Sequence, residues 1–228
     1  MQLRHALVTL VALVVVAGCG AKPPLAPEPA SRPADLASLE RTLLDAQAWQ
    51  ADVRVRATGR FTVDLTVTVL ATNDNRARID ALGTFDGKPV QVRWVSDGTR
   101  TSSGGATEPH TTEAIVVGMT RMGVLHNVAM LIMGGPGPDH AAGGAGDWVV
   151  ATGEKTSAAG ELEFGLSVDG KPSGDVVVGT APTPQGPVMT KRRITVHFDE
   201  GDMFVDEDYT FDLAVELPSD SFVVGGGP

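Results

Sequence analysis

Cysteine is almost absent from this chain: there is one, Cys19, in 228 residues. A domain lying beyond it can have no internal disulfide and no thiol catalysis. Aromatic residues are scarce at 5%, with a single tyrosine, and valine and alanine dominate the apolar set. Basic residues are too few to balance the acids, and the formal net charge is −10. Such a surface repels nucleic acid and anionic lipid, so no nucleic-acid partner is expected. No long apolar run reaches the roughly 20 residues that cross a bilayer as a helix. The sequence also lacks an H-E-x-x-H pair, a G-x-S-x-G elbow and an EF-hand spacing. The glycine-rich stretch GGPGPDHAAGGAG (134–146) has no Lys-Ser/Thr to make a phosphate cradle. His110 and Glu113 lie three apart, and His126, His140 and His197 are scattered without metal-ligand spacing. No enzyme activity, cofactor or metal is expected.

The one cysteine has a telling position. Met1–His5 carries one positive charge, at Arg4, and Ala6–Gly18 follows without an ionisable side chain. A positive head, a short apolar segment and a small-residue exit make up a secretory signal. Val16-Ala17-Gly18-Cys19 resembles the lipobox of bacterial lipoproteins. The resemblance implies removal of residues 1–18, diacylglycerol on the Cys19 thiol and membrane attachment through acyl chains. Cys19 is thus the expected lipid attachment point. Gly20 follows it, and an aspartate there would imply inner-membrane retention in a Gram-negative cell. The implied location is the outer membrane, facing the periplasm, in such a host, and otherwise the outer face of the plasma membrane. Residues 20–33, GAKPPLAPEPASRP, hold five prolines. Together with Cys19 they form a tether, 19–33, that favours polyproline II and spans up to about 40 Å.

From residue 34 the pattern is that of one domain, 34–224, with 225–228 as a disordered tail. Leu36, Leu39, Leu43, Ala46 and Gln47 share a face at helical spacing over Ala34–Trp49, with Pro33 and Asp35 at its entrance. The period then becomes two. Phe61, Val63, Leu65, Val67 and Val69 alternate with polar residues, as do Val90, Val92 and Trp94, then Leu162, Phe164, Leu166 and Val168, then Tyr209 to Leu217. Each such strand buries one face. Asn73-Asp74-Asn75, Asp86-Gly87, Asp97-Gly98, Asp169-Gly170 and Gly201-Asp202 supply turn residues between them. Thr112–Met133 interrupts the strands with helical spacing, rich in methionine at 119, 122, 130 and 133, and Glu113 near its start suits the helix dipole. The acidic residues Asp199, Glu200, Asp202, Asp206, Glu207 and Asp208 read as a solvated hairpin. The expected fold class is mainly β: a strongly curved antiparallel sheet forming an open half-barrel, with helices over its concave face.

The stretches ADVRVRATGRFTVDLTVTV, VQVRWVSDGTRTSS and YTFDLAVELPSDSF, with Asp97-Gly98 and Asp220-Ser221-Phe222, resemble the LolA/LolB/LppX superfamily of lipoprotein and lipid carriers. That resemblance, over 34–224, implies an open β-barrel with an apolar concave face and a lipid or lipoprotein ligand. The alternating residues and the central helix nominate a cavity lining: Val63, Leu65, Val67, Val92, Trp94, Met119, Met122, Leu125, Leu162, Phe164 and Leu166. The expected function is acyl-chain binding for transport or insertion. The alternative is a non-catalytic platform for an envelope protein partner.

Overall fold

The computed structural model describes residues 35–107, 109, 111, 112, 115, 150–156, 160–168 and 171–224. Its first element is a helix, α1 (Leu36–Asp45), started by a reciprocal cap. Ser38 N–H donates to the Asp35 carboxylate (2.7 Å), and Asp35 N–H donates to Ser38 Oγ (2.9 Å). Two N-terminal donors that the helix leaves unpaired are thereby satisfied. Leu39, Thr42 and Leu43 form the buried stripe. The sequence pattern carries the helix to Trp49, but it ends at Asp45. Ala48 and Trp49 are already paired with Thr72 and Ala71 in a strand, where Trp49 is buried in the core.

Among the described residues ten strands follow: β1 (Ala48–Thr58), β2 (Val63–Thr72), β3 (Ala77–Phe85), β4 (Lys88–Ser96), β5 (Thr101–Gly104), β6 (Val150–Thr156), β7 (Glu161–Val168), β8 (Lys171–Thr183), β9 (Gly186–Phe198) and β10 (Gly201–Asp212). They form one curved antiparallel sheet in the order β5-β4-β3-β2-β1-β10-β9-β8-β7-β6, which is not closed into a barrel. The sheet is two five-stranded meanders, and β1 against β10 joins them. This open, mainly β sheet is the expected fold class. Of the expected central helix, Thr112 and Ile115 are helical and buried, and Ile115 belongs to the main core. The rest of that segment lies outside the described residues.

Glycine lets the sheet bend. Gly83 sits at an inward position of β3 with φ +153°, opposite Leu65. A Cβ there would lie 2.0 Å from the Asp64 carbonyl oxygen, so the two backbones approach more closely than any side chain permits. Two strand boundaries differ from the pattern. The β9–β10 turn is Asp199-Glu200, and Gly201 and Asp202 already belong to β10. The last strand stops at Asp212. Residues 213–217 keep the alternation of half-buried and exposed positions but leave the sheet.

The free edge of the first meander is blunted. β5 has four residues, Pro89 lies in the exposed part of β4, and Thr107 seals the rest. Its Oγ1 accepts from Gln91 N–H (2.8 Å) and donates to Gln91 C=O (2.9 Å), using the groups a foreign strand would need.

Gly83→Ala is expected to lower stability by more than about 1 kcal/mol, since the added methyl meets backbone in a strained conformation. Gly87→Asn, at a turn with nothing within 4 Å of a Cβ, should be nearly neutral. Urea unfolding midpoints of the two variants test the contrast.

Candidate functional site

The strand register gathers the apolar residues of both meanders onto one inner face. One row across the sheet reads Leu162, Val178, Arg192, Glu207, Val55, Leu65, Gly83, Val90. The next reads Phe164, Val176, Ile194, Val205, Ala57, Val63, Phe85. On the other side Val53, Val67, Ala81 and Val92 align, then Ala51, Val69, Ile79 and Trp94. Val63, Leu65, Val67, Val92, Trp94, Leu162, Phe164 and Leu166 are therefore together, buried, and members of a single core cluster with α1 residues Leu39 and Leu43. Met119, Met122 and Leu125, and likewise Cys19, lie outside the described residues.

The face is not wholly apolar. Arg192 and Glu207, directly opposed on β9 and β10, are 1% and 2% exposed. Arg192 donates through Nε to Glu207 Oε2 (2.5 Å) and through Nη2 to Oε1 (2.8 Å), a two-pronged fork. Tyr209 adds its O–H to Glu207 Oε2 at 2.5 Å. Burial works hardest against the guanidinium charge, but Glu207 and Tyr209 beside it outweigh burial, and its pKa is raised. Burial is also the main cause that holds the Tyr209 phenol well above its ordinary pKa, with the Glu207 carboxylate adding to it against the opposing pull of Arg192.

This polar island corrects the reading of 199–208 as a solvated hairpin. Asp199, Glu200 and Asp202 are exposed, but Glu207 is inside. The signal was available in the parity of β10: Met203, Val205, Glu207, Tyr209 and Phe211 point one way, so Glu207 occupies an inward position. Asp206 and Asp208 point outward, where each opposes a cation on both neighbouring strands. Asp206 faces Arg56 and Arg193, and Asp208 faces Arg54 and Lys191. The alternation of sign across the outer face stabilises the pairing of β1, β10 and β9.

At the rim formed by the β1–β2 and β9–β10 turns, the Arg60 guanidinium lies over Phe198 (5.1 Å) and Phe61 (5.8 Å), and pairs with Glu200 (2.8 Å). His197 Nδ1 lies 2.9 Å from Asp202 Oδ1, and the hydrogen bond raises the imidazole pKa. Among the described residues no group of three or more His, Cys, Asp or Glu is placed to hold a metal ion.

Clefts formed by described residues include two at the surface of the sheet. One, of about 460 Å³, lies on the outer face around Leu82, Gln91 and Arg93. The other, of about 720 Å³, lies where the chain leaves β10 and passes the start of β1 and the β2–β3 turn.

No family model matches the chain, and no curated protein matches it. Solved structures that resemble it include the LolA superfamily protein NE2245 from Nitrosomonas europaea. It is 10% identical, with a TM-score of 0.41, over 82% of this chain and 95% of that one. MucB is 15% identical, with a TM-score of 0.40, over 84% of this chain and 63% of its own.

Removing one partner of the buried pair breaks the two-pronged fork around a charge held out of water. Glu207→Ala should cost about 3–5 kcal/mol, whereas Arg192→Met with Glu207→Leu should recover most of that loss. Denaturant unfolding of the single and double variants checks this. Tyr209 is the only tyrosine, so its titration can be read directly at 295 nm. In the unfolded chain it ionises near pH 10. In the fold it keeps its proton to higher pH, so its contribution is complete below pH 10 and is lost as pH rises above that value. The native protein should show no phenolate absorbance at pH 10, and unfolding in urea at that pH should release it.

Proposed function

We propose that this chain is an exported lipoprotein, anchored through acyl chains on Cys19, which binds the acyl chains of a lipid or lipoprotein against the inner face of its sheet. The reading rests on one structural observation: β2, β4 and β7, from opposite halves of an open sheet, present eight nominated apolar side chains to a common interior. An apolar interior with a few placed polar groups is the chemistry of an acyl-chain site. The hydrocarbon would lie against Val63, Val67, Val92 and Leu162, whose burial contributes about 0.8 kcal/mol per methylene. Methionines 119 and 122 and Leu125 would complete the lining. The chemistry needed is binding and release, with no bond made or broken.

The second reading is a non-catalytic platform for an envelope protein. It is favoured by the burial of Val67, Val69 and Leu162, each at 0% exposure, which suits a filled core.

Attachment is tested by metabolic labelling with an alkyne fatty acid. The protein should be labelled and Cys19→Ser should not; equal labelling of both would overturn the anchor. Binding is tested by native mass spectrometry of the protein from Gly20 onwards, made in a bacterial cytoplasm. Extractable adducts of lipid mass are expected. A clean mass, unchanged when phospholipid or acylated peptide is offered, would favour the platform.

A further inference from the structure

The seam between the two meanders is incomplete at one end. β1 and β10 pair from Thr58↔Phe204 to Gln50↔Asp212 and stop there, although β1 continues back to Ala48 on its β2 side. Beyond Asp212 the chain bends at 213–214 and leaves the sheet, and the gap is the cleft of about 720 Å³. Ala48 and the β2–β3 turn form one wall, and residues 213–219 form the other. The diverging segment is pinned at its far end, where Phe222 is buried beneath the Arg76 guanidinium (5.1 Å). Leu213, Val215 and Leu217 turn inward by half, and Ala214 and Glu216 outward, the alternation of a strand. Yet among the described residues no backbone hydrogen bond engages Val215, Glu216 or Leu217. Three residues with the alternating burial of a strand thus line a cleft with their backbone groups unpaired to other described backbone.

We infer that this cleft takes an extended, basic peptide segment, which pairs as a strand along residues 215–217. Peptides dock on an unpaired strand through main-chain hydrogen bonds, with alternate side chains giving specificity. A volume near 700 Å³ falls within the range of about 300–1,000 Å³ that holds ligands. Charge selects the occupant. Arg76 is committed to Asp74 (3.0 Å) and to the Phe222 ring. Glu216 has no ion-pair partner among the described residues, and the chain as a whole is strongly acidic. A lysine or arginine beside Glu216 completes the set, whereas an acidic peptide is repelled. This site is separate from the inner face, so it stands or falls independently of acyl-chain binding.

The test is fluorescence anisotropy with the full-length protein in detergent and two labelled hexapeptides, Lys-Val-Lys-Val-Lys-Val and Glu-Val-Glu-Val-Glu-Val. The basic peptide should bind saturably, and the acidic one at least about ten-fold more weakly. Val215→Pro removes a backbone donor from the cleft wall without changing charge, and should weaken binding about ten-fold. Glu216→Lys, at an exposed position that cannot disturb folding, should reverse the preference between the peptides. Absence of saturable binding, equal binding of both peptides, or a preference unchanged in Glu216→Lys would overturn the inference.

Discussion

The fold depends on one long-range pairing, β1 against β10. Every other ladder joins strands that are neighbours in sequence, whereas this one brings residues 50–58 against 204–212 and makes a single sheet from two meanders. Ordering so long an intervening chain costs entropy that local hairpins do not incur. The seam is reinforced on both faces. Outside, Arg54 and Arg56 sit between acids on β2 and β10, with Asp64 in contact with Arg54. Inside, Glu207 lies in register with Val55 and is tied to Arg192 on β9 and to Tyr209 within β10.

The buried pair is best understood as a device for specificity. Taking a guanidinium and a carboxylate out of water costs more than most ion pairs return, and apolar replacements are often neutral or better. A sheet built from alternating valines, however, can slip by two residues and still bury the same face. An Arg192–Glu207 pair opposed in the middle of an apolar row cannot slip without stranding two charges. Tyr209 satisfies a further lone pair of the carboxylate. Flanked by Val178 and Val55 in its row, the pair is part of the scaffold against which apolar groups pack.

Much of this was legible in the residues. Period-two runs marked β2, β4 and β7, and their parity placed eight nominated side chains on one face. Asp86-Gly87 and Asn73-Asp74-Asn75 marked hairpins because positive φ is needed there, and Asn75 and Asp86 have it. Tertiary pairing decided what local pattern could not. Helical spacing runs on through Ala46 and Gln47, but Trp49 is claimed by β2 and by its contact with Phe211 (5.9 Å). β8 and β9 carry bulges and clusters of Thr, Pro and Gly that blur alternation, and the Gly179/Thr180 shift changes the parity midway. That shift hid Arg192, which follows Lys191 and precedes Arg193 in a run that reads as exposed.

The central claim is that acyl chains reach the inner face, and tryptophan offers the most direct view of it. Trp49 and Trp94 are both in the inner core, and the chain's third tryptophan, Trp148, can be replaced by phenylalanine. Bromine on an acyl chain quenches indole fluorescence only at contact. Titrating the Trp148→Phe protein with brominated fatty acid should give saturable, near-stoichiometric quenching that unbrominated fatty acid reverses by competition. Fluorescence that stays unchanged, or falls only in proportion to added lipid without saturating, would contradict the account.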